Sequence, residues 1–150
     1  MDDKTNLTKS SYVECLARLA DSVACNVADM RVKRCENLIC ESTIVTLAGQ
    51  YFNTDKSFSG DVLREYAHGD MQDAHIDLVV RGKELVDVAM EVKYISHRLA
   101  TRPYCDEVLA DAVRLACFVT GTAPEAARIL LAVGSTSDFE RAIWSRRVRA

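Results

Sequence analysis

No two of the six cysteines (Cys15, Cys25, Cys35, Cys40, Cys105, Cys117) stand in C-x-x-C spacing. That spacing serves zinc sites and dithiol redox motifs, so neither is indicated, and in a reducing cytosol the expectation is small buried hydrophobes. The three histidines, His68, His75 and His97, also lack metal-ligand spacing. Long apolar runs are missing: the longest uncharged stretch, Ser42 to Thr54, falls well short of the roughly 18 residues a membrane span needs. The start, MDDKTNLTKSS, is polar and has no apolar signal-peptide core. No membrane partner and a cytoplasmic location are therefore expected. An excess of positive charge is absent as well. The net charge is −3, which gives no general pull on phosphate backbones and leaves only local basic patches for that purpose. Repeats, linkers and a second composition are not seen.

What remains is 150 residues of ordinary soluble composition, enough for a single domain over 1–150 with a real core. Ser10 or Ser11 can cap a first helix, and Tyr12, Leu16, Leu19, Ala20 and Val23 recur at helical spacing to about Cys25. A second helix is predicted from Ala28 or Asp29 to Tyr51, with Leu38, Ile39, Ser42, Val45 and Ala48 or Gly49 as its apolar stripe and Glu36 and Glu41 on it. The turn formers of Asn53 to Gly60 close this half. Three strands follow, Val62–His68, His75–Val80 and Val86–Ile95, joined by short connections that predict an antiparallel meander. A helix from Cys105 or Asp106 to about Thr120, stopped by Gly121, leads to an almost wholly apolar strand, Arg128–Gly134. Such a strand reads as covered on both faces, and a helical crossover predicts parallel pairing. A last helix starts near Ser137.

The third strand, VDVAMEVKYI, carries the chemistry. Alternation puts Asp87, Ala89, Glu91 and Lys93 on one face and Val86, Val88, Met90 and Val92 on the other. A carboxylate and an ammonium thus emerge together from a strand anchored in apolar packing. Asp77 lies in the preceding strand, in I-D-L-V-V, where an acid costs stability unless it is paired, hydrogen-bonded or metal-bound. A hairpin turn near residues 82 and 83 sets Asp77 opposite residues 88 to 91. Two carboxylates with a few waters suit Mg²⁺, and the Val92 carbonyl is a further candidate ligand. A lysine beside them can stabilise charge developing on a phosphate or position the attacking water. The competing account, a surface Glu91–Lys93 ion pair worth under about 1 kcal/mol, leaves Asp77 unexplained.

Asp77 followed after a short hairpin by Glu91-Val92-Lys93 resembles the D…(D/E)-x-K signature of the PD-(D/E)XK nuclease superfamily, which includes the restriction endonucleases. The resemblance spans about residues 30–134. It implies an α/β, restriction-endonuclease-like αβββαβ core, with a mixed central sheet flanked by helices and extra N-terminal and C-terminal helices. It implies Asp77 and Glu91 as metal ligands for Mg²⁺ or Mn²⁺, Lys93 as the catalytic lysine, and hydrolysis of nucleic acid, DNA foremost. Many members add a glutamate from the first core helix; Glu41 is the best match, with Glu36 behind it. The proline before the aspartate is replaced by Ile76, and Asp111 and Arg114, in L-x-D-x-x-R-L, stand where members carry supporting polar residues.

His97, Arg98 and Arg102 just after the motif strand, together with Arg114, are candidate nucleic-acid contacts. Arg141, Arg146, Arg147 and Arg149 around Trp144 could track a backbone or simply edge an amphipathic helix. A second reading keeps the fold without the chemistry: a silent module binding nucleic acid or protein within a defence or mobile-element system. A third is a small α/β protein unrelated to nucleases. Cutting both duplex strands would call for a homodimer or larger complex.

Overall fold

The computed structural model of the chain describes residues 9–55, 57–58, 60–96 and 104–144. Four strands, β1 (Asp61–Ala67), β2 (His75–Arg81), β3 (Val86–Ile95) and β4 (Thr122–Gly134), form one sheet in the order β1-β2-β3-β4. The first three are antiparallel and β4 runs parallel to β3. Helices α1 (Lys9–Val32) and α2 (Glu41–Thr54) precede the meander, α3 (Tyr104–Cys117) makes the crossover and α4 (Thr136–Trp144) follows β4. The architecture is α/β, an open mixed sheet flanked by helices. Among the described residues no helix is long and apolar enough to cross a membrane.

Two cores separate on the two faces of the sheet. Leu19, Val23 and Val27 of α1 and Ile44, Val45, Ala48 and Phe52 of α2 pack on Leu78, Val80, Val88, Met90 and Val92. On the opposite face Ile76, Val79, Val86 and Ala89 meet Leu115 and Phe118 at the end of α3. Val86 thus lies on the α3 face rather than with Val88. The register against β4 shifts between Val86 and Val88, and that irregularity breaks the alternation the sequence predicts.

The helical half is divided differently from the sequence expectation. α1 runs through to Val32 because its apolar spacing continues at Val27 and Met30 with no glycine or proline to stop it. It ends where Arg34 takes a left-handed φ of 58°, with Cys35 N–H bonding to the Met30 carbonyl at 2.8 Å and Arg34 N–H to Arg31 at 3.0 Å. A 3-10 turn, Glu36–Leu38, follows. Glu36 is therefore exposed and off α2, Leu38 is 56% exposed, and the buried stripe of α2 is Ile44, Val45, Ala48, Gly49 and Phe52.

The strand expectations need two further corrections. α3 ends at Cys117, and Gly121, at φ 74°, serves the turn into β4 rather than the helix end. β4 begins at Thr122 and is half-exposed along 129–134, not buried on both faces, because it closes the sheet as an edge strand. Exposed Pro124 is tolerated there, where no further strand needs its missing N–H. The cysteines also depart from expectation: Cys15 is buried, but Cys25, Cys40 and Cys117 are exposed and Cys35 half-buried, all as free thiols.

Candidate functional site: a carboxylate pair, a caged lysine and an arginine

β3 is flanked by strands on both sides, and its Val88, Met90 and Val92 lock it into the α1–α2 core. Alternation then turns Glu91 and Lys93 to the α3 face. Leu78 pairs with Met90 and Val79 with Ala89, so the next residues outward, Asp77 and Glu91, stand opposite one another. The β2–β3 ladder stops there. On the other side, β1 pairs Arg64 with Leu78 and Tyr66 with Ile76 in one unbroken register, but Glu65, at φ 49° and facing Asp77, makes no ladder pair with it. The turned backbone at Glu65 thus leaves Asp77 without a regular ladder partner on that side. Its Oδ2 accepts the Val92 N–H at 2.7 Å, so a side chain does what a strand carbonyl would otherwise do. The C=O of a strand residue points to the same side as its N–H, which directs the Val92 carbonyl toward β2 and Asp77 as well.

Glu91 is 2% exposed. Burial pushes its carboxyl up to about 8, and the like charge of Asp77 and a hydrogen bond with it add to the rise, while Arg114 opposes it. The opposing bond is short: Arg114 Nη1 donates to Glu91 Oε1 at 2.8 Å, and that contact is what chiefly raises the arginine's own pKa.

Lys93, on the same face and about 7 Å along the strand, is held by three carboxylates. Its Nζ lies 3.1 Å from Asp111 Oδ2, 3.3 Å from Glu41 Oε1 and 3.8 Å from Glu107 Oε2. Burial disfavours the ammonium, but the close approach of Asp111 and the charges of Glu41 and Asp111 outweigh it and hold the pKa above its ordinary value. Lys93 is thus a fixed cation and not a base. Asp111 Oδ2 is fully buried and lies close to that ammonium without a directed hydrogen bond.

Each contributor reaches the site for a local reason. Glu41 opens α2, and its Oε1 also accepts the Tyr94 N–H at 3.3 Å. Glu107, Asp111 and Arg114 are spaced four and three apart, which sets them on one face of α3. The end of α3 is pinned by the β1–β2 turn: His68 Nε2–H donates to the Arg114 carbonyl at 3.0 Å, and Asp70 accepts the N–H groups of Val119 and Thr120 at 2.8 and 2.9 Å. His68 Nδ1 accepts the Asp70 N–H at 3.1 Å, so the buried imidazole is structural and makes no substrate contact.

The structure therefore brings Asp77, Glu91, Lys93 and Glu41 together, with Val92 at their edge. Glu36 is not among them. Arg114 lies inside the cluster on Glu91 and not on an outer face. Glu107 was not foreseen, although its spacing to Asp111 and Arg114 is readable in the sequence. His97, Arg98, Arg102, Arg146, Arg147 and Arg149 lie outside the described residues, as do the side chains of Arg141 and Trp144. In total, five carboxyls meet two cations at this point. Among the described residues no three His, Cys, Asp or Glu side chains group as ligands for one ion. Compared with known proteins, the chain matches no family model, and no curated protein or solved structure matches it significantly.

Proposed function

We propose that the chain is a metal-dependent nuclease of the PD-(D/E)XK type, hydrolysing phosphodiester bonds, with DNA as the first candidate substrate. One observation carries this reading: two acids from neighbouring strands, Asp77 and buried Glu91, stand opposite one another with the Lys93 ammonium on the same face of the sheet. Like charges set this close in a buried place repel one another, and a divalent cation between them would relieve that repulsion. The donor types fit Mg²⁺ or Mn²⁺: Asp77, Glu91 and the Val92 carbonyl would supply oxygen ligands, and water would complete the set. Bound there, the ion would lower the pKa of a coordinated water and neutralise charge on the phosphate.

The chain's own groups have separable tasks. Asp77 and Glu91 would hold the cation, which would offset negative charge as a phosphate approaches. Lys93 keeps its proton in the grip of Asp111, Glu41 and Glu107, so it would stabilise negative charge or orient the attacking water as a donor. Glu41 would act through Lys93 as much as on the metal. The order α2-β1-β2-β3-α3-β4 supports a restriction-endonuclease-like αβββαβ core over about residues 30–134, with α1 and α4 as additions. Basic residues at 97–102 and in the C-terminal stretch would complete the nucleic-acid interface, and a homodimer would cut both strands.

A second reading, a catalytically silent module, draws on a specific observation. Both cations of the cluster are already engaged by its carboxyls, and Asp77 by the Val92 N–H. Incubation with plasmid and single-stranded DNA, with and without Mg²⁺ or Mn²⁺, separates the two. Metal-dependent cutting abolished by Lys93→Ala is expected of the nuclease. Retention of DNA in a gel shift without cutting supports the module, and neither activity would refute both.

A further inference from the structure

Arg114 has an unusual station for a cation beside a proposed metal ligand. A single nitrogen, Nη1, serves two carboxylates, Glu91 Oε1 at 2.8 Å and Asp111 Oδ1 at 3.2 Å. This is not the two-pronged fork by which arginine grips a carboxylate most tightly. Among the described residues Nη2 and Nε bond to nothing, and the side chain is 30% exposed. The guanidinium therefore has one shared anchor, a free outer edge and an alternative anion within reach of the same atom.

The geometry points to Arg114 as an exchangeable counter-cation that occupies Glu91 until a divalent ion displaces it onto Asp111. This rests on the metal-site reading above. A divalent ion binds a carboxylate oxygen at about 2.1 Å, and a guanidinium nitrogen on that oxygen both competes for it and repels the ion. Asp111 lies three residues earlier on the same helical face, so release from Glu91 leaves the arginine paired without moving the backbone. His68 fixes that backbone through the Arg114 carbonyl, which confines the exchange to the side chain. Arg114 is thus a positioning residue: it keeps a buried acid compensated in the metal-free protein and sets how tightly the metal is held.

The test is calorimetric titration of Mn²⁺ into the whole chain and into Arg114→Gln and Arg114→Lys. Arg114→Gln is expected to bind at least about tenfold more tightly, with Arg114→Lys returning toward the wild-type affinity. A folded Arg114→Gln that binds Mn²⁺ no more tightly than wild type overturns the inference and leaves the metal site standing. No Mn²⁺ binding by any of the three proteins overturns both. Should Arg114→Gln fail to fold, the wild type supplies the measurement: Mg²⁺ must shift the Arg114 side-chain NMR signals together with the carboxyl signals of Asp77 and Glu91. Carboxyl shifts with the arginine signals unmoved refute the exchange.

Discussion

Replacing Glu91 by glutamine isolates the cost of an acid placed in a closed layer of the protein. The folded carboxyl has its pKa at about 8, against roughly 4.3 in an unfolded chain. An acid raised on folding binds more protons in the native state than in the unfolded one across that interval. Native stability then falls as pH rises from the unfolded value through 8, and the penalty is complete above it. Each unit of difference is about 1.4 kcal/mol. Between about pH 6 and pH 9 the native side releases the proton that the unfolded side has already lost, a decline on the order of 2–3 kcal/mol. For a domain of this size that is roughly 5–10 °C in Tm. Glu91→Gln keeps the shape and a carbonyl acceptor for Arg114 but cannot ionise. Thermal unfolding of both proteins in chelator, across that pH range, should show a wild-type decline that the variant lacks. Parallel curves would refute the reasoning, since they would mean that Glu91 is ionised in the native state and adequately solvated or paired.

Two packing predictions accompany it. Met90, fully buried behind the site strand, should cost about 2–5 kcal/mol when cut to alanine, read as a lower denaturant midpoint with unchanged slope. Gly134 lets β4 pass β3 closely: a Cβ there would stand 2.7 Å from the Ile95 carbonyl oxygen, so Gly134→Ala should destabilise by about 1–3 kcal/mol in the same assay.

The part of the site on the sheet was legible because strands leave little freedom. A period of two fixes which of Glu91, Val92 and Lys93 share a face, and a short hairpin ties Asp77 to Glu91 within a residue or so. The bounds of β3 agree at both ends, Val86 and Ile95. Helices were less legible. The break between α1 and α2 is made by Arg34 in a left-handed conformation, with no glycine or proline to announce it. Frame errors followed, and Ile44, the best-buried residue of α2, was passed over for exposed Ser42 and Leu38. The extent of β4 was hidden by Pro124, which a sequence reading treats as a strand breaker but an edge strand admits. The partnership of Arg114 with Glu91 depends on how α3 is rotated over the sheet, and no periodicity encodes which acid a long side chain will choose.

The three charged pieces of the site come from very different separations along the chain. Asp77 reaches Val92 across 15 residues within one hairpin, Arg114 reaches Glu91 across 23, and Glu41 reaches Tyr94 across 53. Closing the shorter loops costs less chain entropy. The hairpin can therefore set the two acids side by side while water still surrounds them. Arrival of α3 removes that water and seats the Arg114 guanidinium against Glu91 in the same event. Docking of the crossover helix is in this sense an electrostatic step as well as a packing step, since the same helix that buries Glu91 brings its counter-charge.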